Sequence, residues 1–207
     1  MSNSNPIPVV YPIQKKKSPV TCTQHLTCIE AAAAGACLSA FILPTTKHGD
    51  EHVVLVGKET SGNYQGKFNM IGGKGDPCDN GCLIECLRRE VAEEGKIDLT
   101  DDAIFEKHMR DPVTGKLRVL YVGAGKTPVF VGDFPALSCG PINQKIAQDN
   151  QNPALPDCHK ELEQVQWVNV SDAFTQPNGK TILVSYFAQE GIKHLRDAMA
   201  KQKFVIQ

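Results

Sequence analysis

The sequence has no apolar run long enough to cross a membrane, almost no net charge and no pair of cysteines in CxxC spacing. Every apolar run falls short of the roughly 18 residues that a membrane span needs, and the N-terminus lacks the basic-then-apolar order of a secretory signal. A net charge of −1 gives no general attraction to nucleic acid or to an anionic membrane surface. We therefore expect no membrane partner and a cytoplasmic location.

The cysteines are consistent with that expectation. A chain of 207 residues with 41% hydrophobic residues can bury a core without a disulfide framework. Cys78, Cys82 and Cys86 have the i, i+4, i+8 spacing of one helix face, which makes zinc or redox chemistry conceivable. No partner set recognised in the sequence completes a tetrahedral zinc site around them, so we predict reduced thiols. The remaining cysteines are Cys22, Cys28, Cys37, Cys139 and Cys158.

The composition divides the chain into an arm and one domain. Residues 1–20 mix Ser, Asn and Pro with a lysine triplet at 15–17, which is typical of a flexible N-terminal arm. The lysines are interpreted as part of a solvated tail rather than as a phosphate contact. Residues 21–207 are predicted to form a single domain.

Hydrophobic patterns predict alternating strands and helices in that domain. Apolar runs flank turn residues in most of the expected strands, and apolar residues recur at helical spacing in two segments. A central and a C-terminal helix among mixed strands predict an α/β/α sandwich with a mixed β-sheet. The expected strands are 36–43, 52–58, 67–71, 103–110, 117–122, 128–134 and 163–170, the helices are 81–94 and 184–201, and a long surface loop is expected at 135–157.

The most informative stretch runs from Gly72 to Ile97, where a glycine-rich turn leads into the central helix. Residues three and four apart lie on one face of a helix, so Glu90, Glu93 and Glu94 converge. Carboxylates held that close repel one another when ionised, unless a cation joins them. Mg²⁺ is bound by oxygen ligands of this kind, commonly together with substrate phosphates. The stretch therefore indicates metal-assisted chemistry on a phosphate compound.

This arrangement resembles the Nudix box, G-x5-E-x7-R-E-U-x-E-E-x-G-U, in which U is apolar. Residues 89–94 (REVAEE) match the motif in full, and Ile97 occupies its last apolar position. Two positions depart from the motif, because Gly81 replaces its first glutamate and Lys96 replaces its last glycine. A looser likeness extends over residues 36–200, and it implies the Nudix version of the α/β/α sandwich.

The resemblance implies an enzyme that hydrolyses a nucleoside diphosphate linked to another moiety, by attack of water on a pyrophosphate phosphorus. Such enzymes use Mg²⁺ or Mn²⁺. Carried over by position, the metal ligands are Glu90, Glu93, Glu94 and a backbone oxygen of Gly72, while Arg89 orients Glu90.

The missing box glutamate usually supports that arginine and the loop before the helix. Gly81 cannot do so, and Asp76, Asp79 and Glu85 are the candidates to replace it. Because the three metal-binding glutamates are present, an active enzyme with a remodelled loop is favoured over an inactive one.

The general base and the substrate contacts rest on residues with less specific patterns. In the family, the base is often a glutamate beyond the box, which here makes Glu161 the first catalytic candidate and Glu163 the second. Lys74 in the glycine turn is a candidate substrate-binding residue. Pro112 is another, because members that cleave ADP-ribose carry a proline about fifteen residues after the box. The segment 111–116 is equally a plain β-turn.

Several functions remain open at this level. ADP-ribose or another nucleotide sugar, a dinucleotide and a nucleoside triphosphate are all candidate substrates. The alternatives are an mRNA-cap pyrophosphatase and a catalytically weak or inactive Nudix-fold module that binds a nucleotide. Capped RNA is the one nucleic-acid partner considered, and homodimers are frequent in the family.

Overall fold

The computed structural model describes residues 20–36, 38–124 and 126–201. The arm predicted at 1–20 lies outside these residues except for Val20, which is buried. Within the described part of the chain, no helix is long and apolar enough to cross a membrane.

A mixed sheet of seven strands forms the centre of the structure. The first two strands make the predicted antiparallel hairpin, and the sixth strand runs parallel to the first along its other edge. The strands are β1 (Ser39–His48), β2 (Glu51–Glu59), β3 (Phe68–Asn69), β4 (Ile71–Lys74), β5 (Val119–Val122), β6 (Thr127–Asp133) and β7 (Leu162–Asn169).

The hairpin strands separate at one end of the sheet. Residues 45–48 of β1 pair with residues 51–54 of β2, but beyond that point the two strands take different partners. Residues 39–42 of β1 pair with β4, and the end of β2 pairs with β3. The glycine turn of β4 therefore lies in the gap between the two diverging strands.

Helices cover both faces of the sheet. Apolar residues of α5 pack with one face in a core that includes Leu43, Val54 and Val131, while the other helices and the opposite face share a second core. This arrangement confirms the predicted α/β/α sandwich with a mixed sheet. The helices are α1 (Leu26–Ala33), α2 (Leu83–Glu93), α3 (Asp102–Met109), α4 (Cys139–Asn150) and α5 (Tyr186–Ala200).

Three elements differ from the sequence predictions. The strand expected at 103–110 is wrong, because α3 occupies this segment and buries Phe105 and Met109 four residues apart. Asp101 caps that helix by accepting a hydrogen bond from the backbone N–H of Ile104 at 3.0 Å. The long loop expected at 135–157 contains α4, and α1 was not predicted.

Helix α4 escaped prediction because it buries only three side chains, Ile142, Ile146 and Asp149. Its polar face has a structural role. Asn143 accepts a hydrogen bond from the N–H of Val165 at 2.6 Å and donates one to the carbonyl of the same residue at 3.1 Å. Asn150 donates to the carbonyl of Leu162 at 2.9 Å. These side chains satisfy backbone groups of β7 that a further strand would otherwise pair.

Replacement of Asn143 by alanine is expected to lower the free energy of unfolding by about 1–3 kcal/mol, because both backbone groups of Val165 lose their partner. Urea denaturation measures the loss. Gln144→Ala, an exposed change on the same helix, is the matched control and should stay within about 0.5 kcal/mol of the wild type. Equal stabilities for the two variants would show that water replaces the asparagine without cost.

Candidate active site

Glu90, Glu93 and Glu94, at the C-terminal end of α2, line a cleft next to the glycine turn. The helix packs on the sheet through a buried stripe that includes Leu87 and Val91, and this leaves the glutamates facing β4. The cavity has a volume of about 560 Å³. Its lining includes Phe41, Glu59, Tyr64, Gly72, Lys74, Arg89, Glu90, Glu93, Glu94 and Glu161.

Arg89 holds the carboxylates of this cleft in place. Its guanidinium donates to Asp79 through Nε at 2.9 Å and through Nη2 at 3.0 Å, a bidentate contact. It also donates to Glu90 at 2.9 Å, to Glu93 at 3.1 Å and to the backbone carbonyl of Lys74 at 2.9 Å. One planar cation thus sets the directions of two glutamates and fastens the glycine turn to the helix.

Asp79 supplies the carboxylate that the sequence lacks at Gly81. It ends a 3₁₀ turn, Pro77–Asp79, and accepts a hydrogen bond from the N–H of Asp76 at 2.7 Å. Its side chain is only 2% exposed. Burial acts to raise the pKa of Asp79, but the hydrogen bonds and charge of Arg89, together with the hydrogen bonds from the Asp76 N–H and from Cys78, outweigh it and the pKa is lowered. Of the replacements considered from the sequence, Asp76 holds the turn and Glu85 lies at the surface beside Arg88.

Glu90 and Glu94 are buried acids. Burial raises the pKa of Glu90 from its usual 4.5 to about 7, although Arg89 acts in the opposite direction. Burial and then the charge of Glu90 raise the pKa of Glu94 well above its usual value. Glu94 accepts a hydrogen bond from the N–H of Gly72 at 3.0 Å and shares another with Glu161. Close packing requires glycine at Gly73, since a Cβ there would lie 2.8 Å from the carboxyl group of Glu90.

The donor set of the cleft fits a hard divalent cation. Six carboxylates line the cavity against only two basic side chains, Lys74 and Arg89. Burial makes the ionised forms of Glu59, Glu90 and Glu94 unfavourable without more positive charge, and carboxylate oxygens are the ligands that Mg²⁺ prefers. Glu90, Glu93 and Glu94 can hold such an ion. Gly72 lies beside them, and its N–H contacts Glu94.

The two candidate bases occupy different places. Glu161 lines the cleft, and its backbone carbonyl accepts hydrogen bonds from the N–H of Thr60 at 2.8 Å and from the Thr60 hydroxyl at 2.9 Å. Glu163 lies outside the cleft lining and forms an exposed ion pair with Lys58 at 2.7 Å. Glu161 precedes β7, which begins at Leu162, whereas Glu163 lies within this strand and its carboxylate pairs with Lys58, so its placement gives no support to Glu163 as the base.

Sequence reasoning missed Glu59 as a site residue. It ends β2, lines the cleft and accepts a hydrogen bond from Asn69 at 3.0 Å. Burial raises its pKa, and the charge of Glu161 adds to the effect. No motif pointed to this glutamate, because its position depends on the separation of β1 from β2.

Lys96, the second departure from the motif, connects α2 to the segment that carries Glu161. Its backbone is left-handed at φ 53°. The ammonium group is 7% exposed, pairs with Asp149 at 2.9 Å and donates to the carbonyl of His159 at 2.9 Å. The lysine thus replaces a glycine where a cation can hold α4 and the Glu161 segment against the end of α2.

The candidate substrate contacts also separate. Lys74 lines the cleft. Pro112 is exposed and lies outside the cleft lining, in the turn that joins α3 to β5. The Asp111 carboxylate accepts hydrogen bonds from the N–H groups of Val113 and Thr114 in that turn. Within this chain, Pro112 therefore has the structural role of a turn residue.

Comparison with known proteins gives similarity to solved structures only. No family model matches the chain, and no curated protein matches it. The Nudix domain of Shewanella oneidensis NrtR complexed with ADP ribose has 13% sequence identity, a TM-score of 0.48 and coverage of 79% of this chain and 88% of that chain. A C. elegans Ap4A hydrolase has 13% sequence identity and a TM-score of 0.47, with coverage of 79% of this chain and 98% of that chain. RenU, a Nudix hydrolase from M. smegmatis, has 14% sequence identity and a TM-score of 0.45, with coverage of 79% of this chain and 85% of that chain.

Asp79→Asn is expected to lower the free energy of unfolding by about 3 kcal/mol, because it leaves the buried side of Arg89 without its carboxylate. Chemical denaturation measures the change. Glu85→Gln is the matched control, since Glu85 is exposed and its contact with Arg88 is long, at 3.6 Å; it should cost less than about 0.5 kcal/mol. A small effect of Asp79→Asn would mean that Asp79 does not anchor the arginine.

Metal-free protein is expected to lose stability as the pH rises from about 4.5 to about 7. The folded state keeps protons on Glu90 and Glu94 that the unfolded chain has already released, so the free energy of unfolding falls across this range. Glu94→Gln removes one of these groups and should flatten the curve, with a gain in stability near neutral pH. Thermal melts over this pH range test it.

Glu163→Gln is the control for this titration, because its carboxylate is exposed. Its melting temperatures should run parallel to those of the wild type. Parallel curves for Glu94→Gln as well would contradict the assignment of the pH dependence to Glu94.

Proposed function

We propose that this protein is a Nudix-type pyrophosphatase that uses Mg²⁺ or Mn²⁺ to hydrolyse a nucleoside diphosphate derivative. The observation that carries the proposal is the convergence of Glu90, Glu93 and Glu94 beside the glycine turn, with Arg89 clamped by Asp79. Two of these acids are buried and have raised pKa values. A solvated acidic helix face, the plain alternative, requires neither the burial nor the arginine clamp.

The cleft requires cations before it can hold an anionic substrate. With six carboxylates against two basic groups in the lining, phosphate groups would be repelled by the protein alone. Glu90, Glu93 and Glu94 would hold the divalent ion in this proposal. When bound, it neutralises phosphate oxygens and favours ionisation of the attacking water.

The side chains have separate tasks in the proposed reaction. Arg89 fixes Glu90 and Glu93 in the directions needed for ligation. Glu161, held in the cleft by Thr60, accepts the proton of the attacking water on a carboxylate oxygen. The water oxygen then forms a bond to phosphorus and the bridging P–O bond breaks. Lys74 neutralises part of the charge on the released phosphate.

The lining of the cleft supports a substrate with an aromatic base. Phe41 and Tyr64, both half-buried, line the same cavity as the acids, and aromatic side chains stack on bases. Pro112 lies outside the lining of this cavity, so the proline that pointed to ADP-ribose in the sequence does not contact the proposed substrate site of its own chain. A nucleoside diphosphate joined to a sugar or to a second nucleotide remains the proposed substrate class.

Activity on a substrate panel tests the proposal. Purified protein with Mg²⁺ or Mn²⁺ is incubated with ADP-ribose, NADH, dinucleoside polyphosphates, nucleoside triphosphates and capped RNA. We expect cleavage at a pyrophosphate bond in at least one compound, and none with the metal removed. Glu94→Gln and Glu161→Gln should each lower kcat by about 10²-fold or more, while Glu163→Gln should retain activity within about twofold.

The contrary outcomes are distinct. Tight nucleotide binding without any product would establish a binding module instead of an enzyme. Preferential cleavage of capped RNA would establish the decapping alternative. If Glu94→Gln left cleavage unchanged, the metal-ligand assignment would be wrong. If Glu163→Gln lost activity while Glu161→Gln kept it, Glu163 rather than Glu161 would be the general base.

A further inference from the structure

Four side chains outside the cleft converge on one point at the start of the described chain. Cys22 and His25 precede α1, Cys28 lies in its first turn, and Cys82 immediately precedes α2. The three sulfur atoms and one ring nitrogen of His25 all lie within 4.8 Å of one another. The first three residues have the regular spacing Cys-x2-His-x2-Cys, whereas Cys82 is 54 residues further along.

The separations within this cluster are those of ligands around a tetrahedral metal ion. Bond lengths of about 2.3 Å to sulfur and about 2.0 Å to nitrogen place two sulfurs roughly 3.8 Å apart and a sulfur and a nitrogen roughly 3.5 Å apart. The sulfurs of Cys28 and Cys82 are 3.7 Å apart. Nδ1 of His25 lies 3.6 Å from the sulfur of Cys22 and 3.2 Å from that of Cys82.

The cysteines of the cluster are closed off from solvent, and the cluster lies at a helix N-terminus. Cys28 is fully buried and Cys82 is 4% exposed. Cys82 is the residue directly before helix α2, so its sulfur lies at the N-terminus of that helix, and Cys28 packs against it at 3.7 Å. The N-terminus of a helix and its free N–H groups stabilise negative charge on sulfur.

We propose that Cys22, His25, Cys28 and Cys82 form a structural zinc site. Three thiolates and one imidazole make the Cys3His donor set of structural zinc, and four protein ligands leave no open position for a substrate. The four residues lie outside the lining of the oxygen-rich cleft. Their sulfur ligands also select zinc over Mg²⁺, because soft thiolates bind Mg²⁺ poorly. Of the helix row Cys78, Cys82 and Cys86 considered from the sequence, this site uses Cys82 alone.

The zinc site would fasten the N-terminal segment to the loop that supports Arg89. The carbonyl of Gly81 accepts hydrogen bonds from the N–H groups of Thr21 at 3.3 Å and Cys22 at 2.8 Å. The N–H of Cys82 donates to the carbonyl of Asp79 at 2.8 Å. Zinc at this place would therefore hold the C-terminal end of the turn whose aspartate clamps the arginine.

This docking also explains the glycine at position 81. Its backbone is left-handed at φ 69°, and a Cβ would lie 1.9 Å from the hydroxyl oxygen of Thr21. The glutamate of the usual motif cannot be accommodated while the N-terminal segment lies here. Gly81 and Cys82 thus both contact the segment that contains Thr21, Cys22 and His25.

Metal analysis of the full-length protein tests the proposal without reference to hydrolysis. Protein purified under reducing conditions without chelators should contain one zinc ion per chain, as measured by elemental analysis with inductively coupled plasma mass spectrometry. Replacement by Co²⁺ should give the thiolate-to-cobalt charge-transfer and intense visible bands of a tetrahedral sulfur-rich site. Removal of zinc should lower Tm by on the order of 10 °C, reversed by Zn²⁺ but not by Mg²⁺.

Single variants then assign the ligands. Cys22→Ser, His25→Ala and Cys28→Ser should each lose most of the bound zinc, whereas Cys139→Ser, on α4 and outside the cluster, should retain the full equivalent. If Cys82→Ser fails to fold, the zinc content and the cobalt spectrum of the wild type still decide. Reduced wild-type protein that contains no zinc and gives no tetrahedral cobalt spectrum would overturn the proposal. So would a disulfide between Cys28 and Cys82 in freshly purified protein.

Discussion

The contact on which the cleft depends is the bidentate pair of Arg89 and Asp79. Most of the acids in the cleft repel one another, and the arginine is the one cation that contacts two of them from within helix α2. A guanidinium has five donors in a fixed plane, so it can hold several carboxylates only if its own plane is fixed first. Asp79 does this with a buried carboxylate at the end of a 3₁₀ turn.

The surrounding fold supplies the other half of the site. β1 and β2 separate where β3 and β4 enter, and this separation places Glu59 and the glycine turn opposite helix α2. Lys96 and Thr60 hold the segment that carries Glu161 from two sides. Buried carboxylates with raised pKa values are unfavourable for folding, so this cluster is better explained by a functional requirement than by a structural one.

Both departures from the Nudix motif have a physical explanation. Gly81 makes room for Thr21, and Asp79 takes over the support of the arginine from a position two residues earlier. Lys96 stands in place of the motif's glycine, and its ammonium group joins the end of α2 to α4 through the ion pair with Asp149. In this chain, Arg89 and the glutamates are therefore positioned by Asp79 and Lys96.

The sequence by itself determined the sandwich, the hairpin, helices α2 and α5, and the convergence of the three glutamates. These follow from local periodicity, which fixes the face of a helix or strand on which a side chain lies. Helices α3 and α4 escaped because few apolar residues mark their buried faces. Only the tertiary structure decided between Asp76, Asp79 and Glu85 as partners of Arg89 and between Glu161 and Glu163 in the cleft. It alone brought Cys82 to Cys22, His25 and Cys28, because contacts between distant segments depend on how the elements pack, which no local pattern records.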